Sequence, residues 1–241
     1  MLTLLRRIRK SLIDSGSARK YLLYAIGEIA LVVIGILMAL QINNWRQEEI
    51  TQKLSNDLFI NLKASLRQDS VELVHILQKI KKCGDAEEII IGNNYQSLND
   101  QLSRAEITEL LRDLDGGIYS FFPRFGVYNN IVQNNYLSLL KQKQLKADLI
   151  FHYEHLYVRY NAIDAEITEI FITSLLPTIT KDISFVPKQN DLANLKNFKK
   201  FYDQIQQDCR LAHTSTFNQL SVLTEIQRST NSLIERLELE I

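Results

Sequence analysis

Three prolines and eight glycines in 241 residues leave little material for tight turns. Sandwiches and barrels need many such turns, so both are disfavoured at the outset. Two cysteines allow at most one internal disulfide. No surplus of positive charge is present either, with 28 basic residues facing 28 acids. The balance is uneven along the chain. Six bases (Arg6, Arg7, Arg9, Lys10, Arg19, Lys20) precede Tyr21, while only Asp14 and Glu28 among the acids precede Gln41. That leaves 22 bases against 26 acids for the remainder, a net charge near −4 that gives no footprint for nucleic acid. HExxH, GxSxG and P-loop patterns are all missing.

One long apolar run is present. From Tyr21 to Leu40 the only charge is Glu28. At ~1.5 Å per residue, a helix through Trp45 covers the ~30 Å hydrocarbon layer with slack for tilt. Tyr21 and Tyr24 at one end and Trp45 at the other suit the membrane interface. The basic excess before the run places the N-terminus in the cytoplasm and the rest outside. A cleaved signal peptide is the competing reading, since Ile29 to Leu40 is short enough for its apolar core. Its cleavage site would need small residues three and one before the cut, and Leu37-Met38-Ala39 does not supply them. The expected organisation is therefore a cytoplasmic tail over 1–20, a transmembrane signal anchor over 21–45 and an outer domain over 46–241. Within the tail, residues 2–13 form a short basic amphipathic segment, with Leu5, Ile8 and Leu12 on one face.

The outer domain reads as all-α. Ile50, Leu54, Leu58, Leu62 and Leu66, then Leu73, Leu77 and Ile80, recur at helical spacing, so one helix should leave the membrane and run to about Lys82. Cys83-Gly84-Asp85 should end it. Ser103 and Glu106 form a capping box, with Leu102 and Ile107 as the flanking apolar pair, and Asp115-Gly116-Gly117 closes that helix. An aromatic loop follows at Phe121 to Gly126, then a short helix pair over Val127 to Leu140. A long helix over Leu145 to Leu176 should stop at Pro177, and Ile179 to Pro187 reads as loop or a weak extended piece. Asp191 caps a last helix towards Ile241. The fold class is a transmembrane helix continuing into an antiparallel bundle of long helices.

The anchor residues also carry a resemblance. Lys20-Tyr-Leu-Leu-Tyr-Ala-Ile-Gly-Glu-Ile29, Val32-Val-Ile-Gly-Ile36 and Ala39-Leu-Gln-Ile-Asn-Asn-Trp45 resemble the signature of a bacterial family of single-pass membrane proteins of unknown function. It extends more weakly to Val127-Tyr-Asn-Asn-Ile131, Leu137-Ser-Leu-Leu-Lys141, Leu145 and Phe151-His-Tyr153. The chain departs from the family's Ser-Ser-Gly-Lys-Leu-like turn, having Gln133-Asn-Asn-Tyr-Leu137 there. The resemblance implies this topology, a helical outer domain and, from its Gram-negative character, a periplasmic location on the inner membrane. It brings no activity and no cofactor.

Four groups of residues are candidates for function. Glu28, Gly35 and Ala39 lie on or near one helix stripe, where a costly carboxylate and small residues favour helix association in the bilayer; an inert anchor and proton coupling are the alternatives. His152 and His155, with Glu154 between, have the look of a partial metal site but lack a third ligand. Tyr153, Tyr157 and Tyr160 interleave them as a half-buried face, and Asp164, Glu166 and Glu169 read as a solvated one. The Phe121, Phe122, Phe125 loop suits a partner or ligand, or else caps the bundle end. Cys83 and Cys209 are a candidate disulfide. If the C-terminus returns to the level of Ile50, facing residue numbers total 291 and Cys209 meets Cys83. Together these give a non-enzymatic, membrane-anchored periplasmic interaction or ligand-binding protein. Its expected partners are the lipid bilayer and a second copy or another membrane protein. The rivals are a metal-dependent enzyme using His152 and His155, and a sensor subunit acting through a partner.

Overall fold

The computed structural model describes residues 18–183 and 195–240. Residues 1–17 of the basic tail with their amphipathic segment, Pro187, the Asp191 cap and Ile241 lie outside the described residues. The described chain is all-α, with no strand among its residues. It divides into two compact units, one ending at Leu54 and one starting at Ser55.

The first helix, α1 (Ala18–Gly92), contributes to both. In the first unit its apolar side chains lie bare: Leu22, Ile29, Leu31, Ile36, Met38 and Leu40 are each more than half exposed. This is the one described helix long and apolar enough to cross a membrane, with mean hydropathy 2.4 over its best window.

Within the second unit α1 changes character. Besides Ala86, its buried positions are Ser55, Phe59, Leu62, Leu66, Asp69, Leu73, Ile76, Ile80, Cys83, Glu87 and Ile90. They alternate steps of four and three, the heptad spacing of helices packed side by side. The sequence-based stripe is one position out of phase at its start. Ile50 and Leu54 are exposed and Leu58 only half-buried, while Ser55 and Phe59 face inward. The expected stop at Gly84 also fails. Cys83, Ala86 and Ile90 keep the core face going, and burying them outweighs the weak helix preference of one glycine.

Two short helices follow, α2 (Tyr95–Gln101) and α3 (Arg104–Asp113). The capping box forms as read: Ser103 Oγ accepts from Glu106 N–H at 3.3 Å, and Glu106 accepts from Ser103 N–H at 2.7 Å. A 3₁₀ turn at Leu114–Ile118 ends this section. Its glycines are there for close approach. A Cβ on Gly116 would lie 2.3 Å from the Lys79 carbonyl oxygen, and one on Gly117 would lie 2.0 Å from the Phe171 ring. The 119–125 segment is loop, and α4 (Gly126–Gln133) with a 3₁₀ turn at Tyr136–Leu139 gives the expected short pair.

The chain is then helical from Lys143 to Asp182. The segments are α5 (Lys143–Ile150), a π-helical turn (Phe151–Leu156), α6 (Tyr157–Ile170), and two further π-helical stretches (Phe171–Leu175 and Thr178–Asp182). Pro177 does not close this helix, and Ile179 is helical rather than loop. The proline sits between two π stretches, where the wider turn accommodates its ring and its missing N–H.

The last helix, α7 (Leu195–Glu240), repeats the four–three spacing. Phe198, Tyr202, Ile205, Cys209, Ala212, Thr216, Gln219, Leu223, Ile226, Thr230, Leu233 and Leu237 all point inward. Phe217, one position off this stripe, is 66% exposed.

The second unit has two apolar cores. One joins Phe59–Ile80 of α1 with Tyr128, Leu149, Tyr157 and Val222–Leu237. The other joins Cys83–Ile90 with α3, Phe171–Ile183 and Phe198–Ala212.

Candidate functional site

Asp69 is the centre of the first polar cluster. It occupies a core position of α1 between Leu66 and Leu73 and is fully buried. An ionised acid there needs compensation. The aromatic loop supplies it: the Arg124 guanidinium bonds Asp69 Oδ1, and the Arg124 N–H lies 3.4 Å from Oδ2. Tyr157 OH donates to the same Oδ2 at 3.2 Å. Arg124 also reaches Glu72 at 3.1 Å. Burial still dominates and raises the Asp69 pKa above its ordinary value, against the lowering by Arg124 and Tyr157.

Rings surround this pair. Tyr157 meets Phe121 at 5.9 Å and Phe125 at 5.5 Å, and Tyr128 stacks on Tyr153 at 4.1 Å. The Tyr160 hydroxyl accepts from Phe121 N–H at 2.6 Å and donates to Asp164 at 2.6 Å. Tyr153, Tyr157 and Tyr160, read from sequence as half-buried, are wholly buried. The reason is that α6 is covered on two sides, by the loop and by α7.

The candidate loop thus divides. Phe121 is buried and Phe125 packs against the core, while Phe122 is 74% exposed. Ile118 and Tyr119 beside it are partly exposed as well. Arg124 and the Phe121 N–H hold the loop from below, so Phe122 is presented from a fixed base.

His152 and His155 part company. His152 is buried, with Nδ1 2.9 Å from Ser229 Oγ and its ring 4.4 Å from that of Tyr157. Burial pushes its pKa down to about 3, so it stays neutral at physiological pH. Its Nε2 and the Tyr153 hydroxyl have no hydrogen-bond partner among the described residues. His155 is exposed and stacks on Phe151 at 5.7 Å. The π turn at 151–156 is what separates them, since i, i+3 neighbours no longer share a face when the turn widens. Nowhere among the described residues do three His, Cys, Asp or Glu side chains gather as a metal ion requires.

A second polar cluster centres on Glu87, also fully buried on α1. Thr216 Oγ donates to it at 2.9 Å, His213 Nδ1 lies 3.3 Å away, and Cys83 Sγ lies at 3.7 Å. Burial raises its pKa to about 7 in spite of these partners. Of the residues read as a solvated face, Glu166 and Glu169 are exposed and Asp164 is half-buried; Gln219 donates to Asp164 at 2.9 Å and Ser215 to Glu166 at 2.9 Å. Sequence reasoning missed Asp69 and Glu87. The four–three spacing carried to the end of α1 would have found both, for each sits where that stripe demands an apolar residue.

Cys83 and Cys209 are buried free thiols, in place of the candidate disulfide. The error lies in the register. Glu87 meets His213 and Gly84 meets Thr216, pairs that each total 300, and Ser70 bonds Asn231 at 301. Cys83 is therefore level with residue 217, eight residues from Cys209. That is about 12 Å along the axis, beyond the ~7 Å Cα separation a disulfide tolerates. In the first unit Glu28 is half-buried, and Gly35 and Ala39 are exposed on the bare part of α1. Glu28, Ala25, Ile29, Val32 and Val33 line an open groove there.

A family model described as a family of unknown function (DUF6090) matches residues 28–174, which takes in Glu28, Asp69, the aromatic loop and the π turn. No curated protein and no solved structure matches the chain.

Proposed function

Because the chain belongs to the DUF6090 family of unknown function, we propose its role from its own residues: a non-enzymatic, single-pass inner-membrane protein whose helical domain faces the periplasm and binds a partner. The observation that carries this reading is α1 itself. Its first part exposes an unbroken apolar surface that only lipid or another helix would cover, and its later part is the heptad-spaced spine of a folded unit. The basic excess before Tyr21 orients it with the N-terminus in the cytoplasm. Glu28, Gly35 and Ala39 then provide a face for self-association, since small residues allow backbones to approach and a carboxylate in lipid gains most from a partner. Outside the membrane, Phe122 with Ile118 and Tyr119 is the contact surface for the partner.

Topology and association are tested together. A reporter active only in the periplasm, fused after Ile241, should be active, and the mature chain should still begin near Met1. In a two-hybrid assay for membrane helices the 21–45 segment should self-associate, and Gly35→Leu should weaken the signal. A silent reporter, or a mature N-terminus near residue 40, overturns the anchor. An unchanged signal in both Gly35→Leu and Glu28→Leu overturns the association.

A further inference from the structure

The boundary between the two apolar cores is polar on α6 and α7, and α1 sets Glu87 against it from within the second core. On α7 the last residue of one core is Ala212 and the first of the other is Leu220. Between them every residue that is not exposed is polar: His213, Ser215, Thr216 and Gln219. On α6, Ile163 and Ile167 are separated by Asp164 and Glu166, the residues that Gln219 and Ser215 bond. On α1, Glu87 bonds His213 and Thr216. The helices are thus joined here by exchangeable hydrogen bonds around one wholly buried carboxyl. His213, whose side chain is 39% exposed, is the route from that carboxyl to water.

We propose that Glu87 is a proton-operated lock on this belt: closed while its carboxyl carries a proton, and opened to water through the His213 face when the proton is lost. The groups facing Glu87 support this direction. On α1 the nearest titratable neighbour is Cys83, whose thiol also lies 3.5 Å from the Leu114 carbonyl of the 3₁₀ turn. On α7 they are Cys209 and His213, with uncharged Thr216 between Glu87 and the Ala212 carbonyl. Burial and the charge of Glu87 push both thiols above their ordinary range, so neither supplies charge to the belt. Asp208, near Cys209, is engaged with Thr178 and Gln204. Among the described residues no permanent cation bonds Glu87. While protonated, its hydroxyl can donate to the His213 imidazole as the other oxygen accepts from Thr216, and the Glu87 carboxyl carries no charge. Once ionised above neutral pH, it is a buried charge with no permanent cation bonded to it among the described residues, and water entry is the available relief.

The test is hydrogen–deuterium exchange on the full-length chain in lipid nanodiscs between pH 6 and 8.5, corrected for intrinsic exchange rates. Protection at 83–91 and 209–217 should fall at least tenfold relative to 62–76 as the pH rises. Glu87→Gln should hold the belt closed across the range. Should Glu87→Gln fail to fold, His213→Leu decides, because losing the imidazole donor disfavours the ionised form and should move the opening to higher pH. Constant protection in the wild type overturns the lock. So does the same pH response in Glu87→Gln, or an unmoved transition in His213→Leu.

Discussion

Asp69 and Glu87 are both fully buried acids on the core stripe of one helix, and they are compensated differently. Asp69 faces Arg124, whose guanidinium keeps its charge at any physiological pH, and takes a further bond from Tyr157. Glu87 faces the His213 imidazole and two neutral donors, with no guanidinium beside it. The first arrangement is a fixed strut pinning the aromatic loop to α1. The second depends on pH. Depth of burial is the same, so the partner's chemistry sets the difference.

Removing the ring that joins the strut to its core should have the largest effect. Tyr157→Ala deletes contacts to Phe121, Phe125, Tyr153 and His152 together with a bond to Asp69. Chemical unfolding in detergent should show a loss of about 3–5 kcal/mol. A loss below about 1 kcal/mol would mean that the loop and α6 are not packed as described.

Arg124→Ala should next convert the strut into a second Glu87. Asp69 keeps only the Tyr157 hydroxyl and a long backbone bond, at a cost of about 1–3 kcal/mol at neutral pH. The loss should shrink as the pH falls and Asp69 becomes protonated. Adding Asp69→Asn to this variant should recover part of it and remove the pH dependence; equal losses at pH 5 and 8 would contradict the comparison.

The two histidines sharpen it further. The folded pKa of His152, about 3, lies below its ordinary 6.5, so the folded state resists protonation. Its contribution is intact above pH 6.5 and is lost as the pH falls towards 3. His152→Phe should therefore flatten the acid limb of a stability–pH curve, and an unchanged limb would mean that this imidazole is not buried.

The smallest effect runs the opposite way. The folded pKa of Glu87, about 7, lies above its ordinary 4.5. The folded state holds that proton more tightly, so the stability from this group is full below pH 4.5 and lost as the pH rises through 7. Glu87→Gln should remove this alkaline decline in unfolding experiments while leaving the acid limb to His152. A steeper decline in the variant would refute the sign.

Sequence alone fixed what depends on neighbours a few residues apart. The apolar run around Leu22 to Leu40, the Ser103–Glu106 capping box, the glycine-closed end of α3 and the all-α class rest on composition and on i to i+4 relations, which survive into any tertiary context. Helix ends were less legible. Gly84 and Pro177 are strong local breakers, yet the helix runs through both, because burying Ala86 and Ile90 in the one case and widening the turn by π bonding in the other outweighed local preference. Tertiary structure decided what depends on distant partners. The register of α1 against α7 totals 300 and not 291, which separated Cys83 from Cys209 and set His213 beside Glu87. The same packing sorted three neighbouring phenylalanines into two core residues and one exposed ring. Register between helices far apart in sequence is set by the lengths and folds of everything between them, a sum to which no single local signal has access.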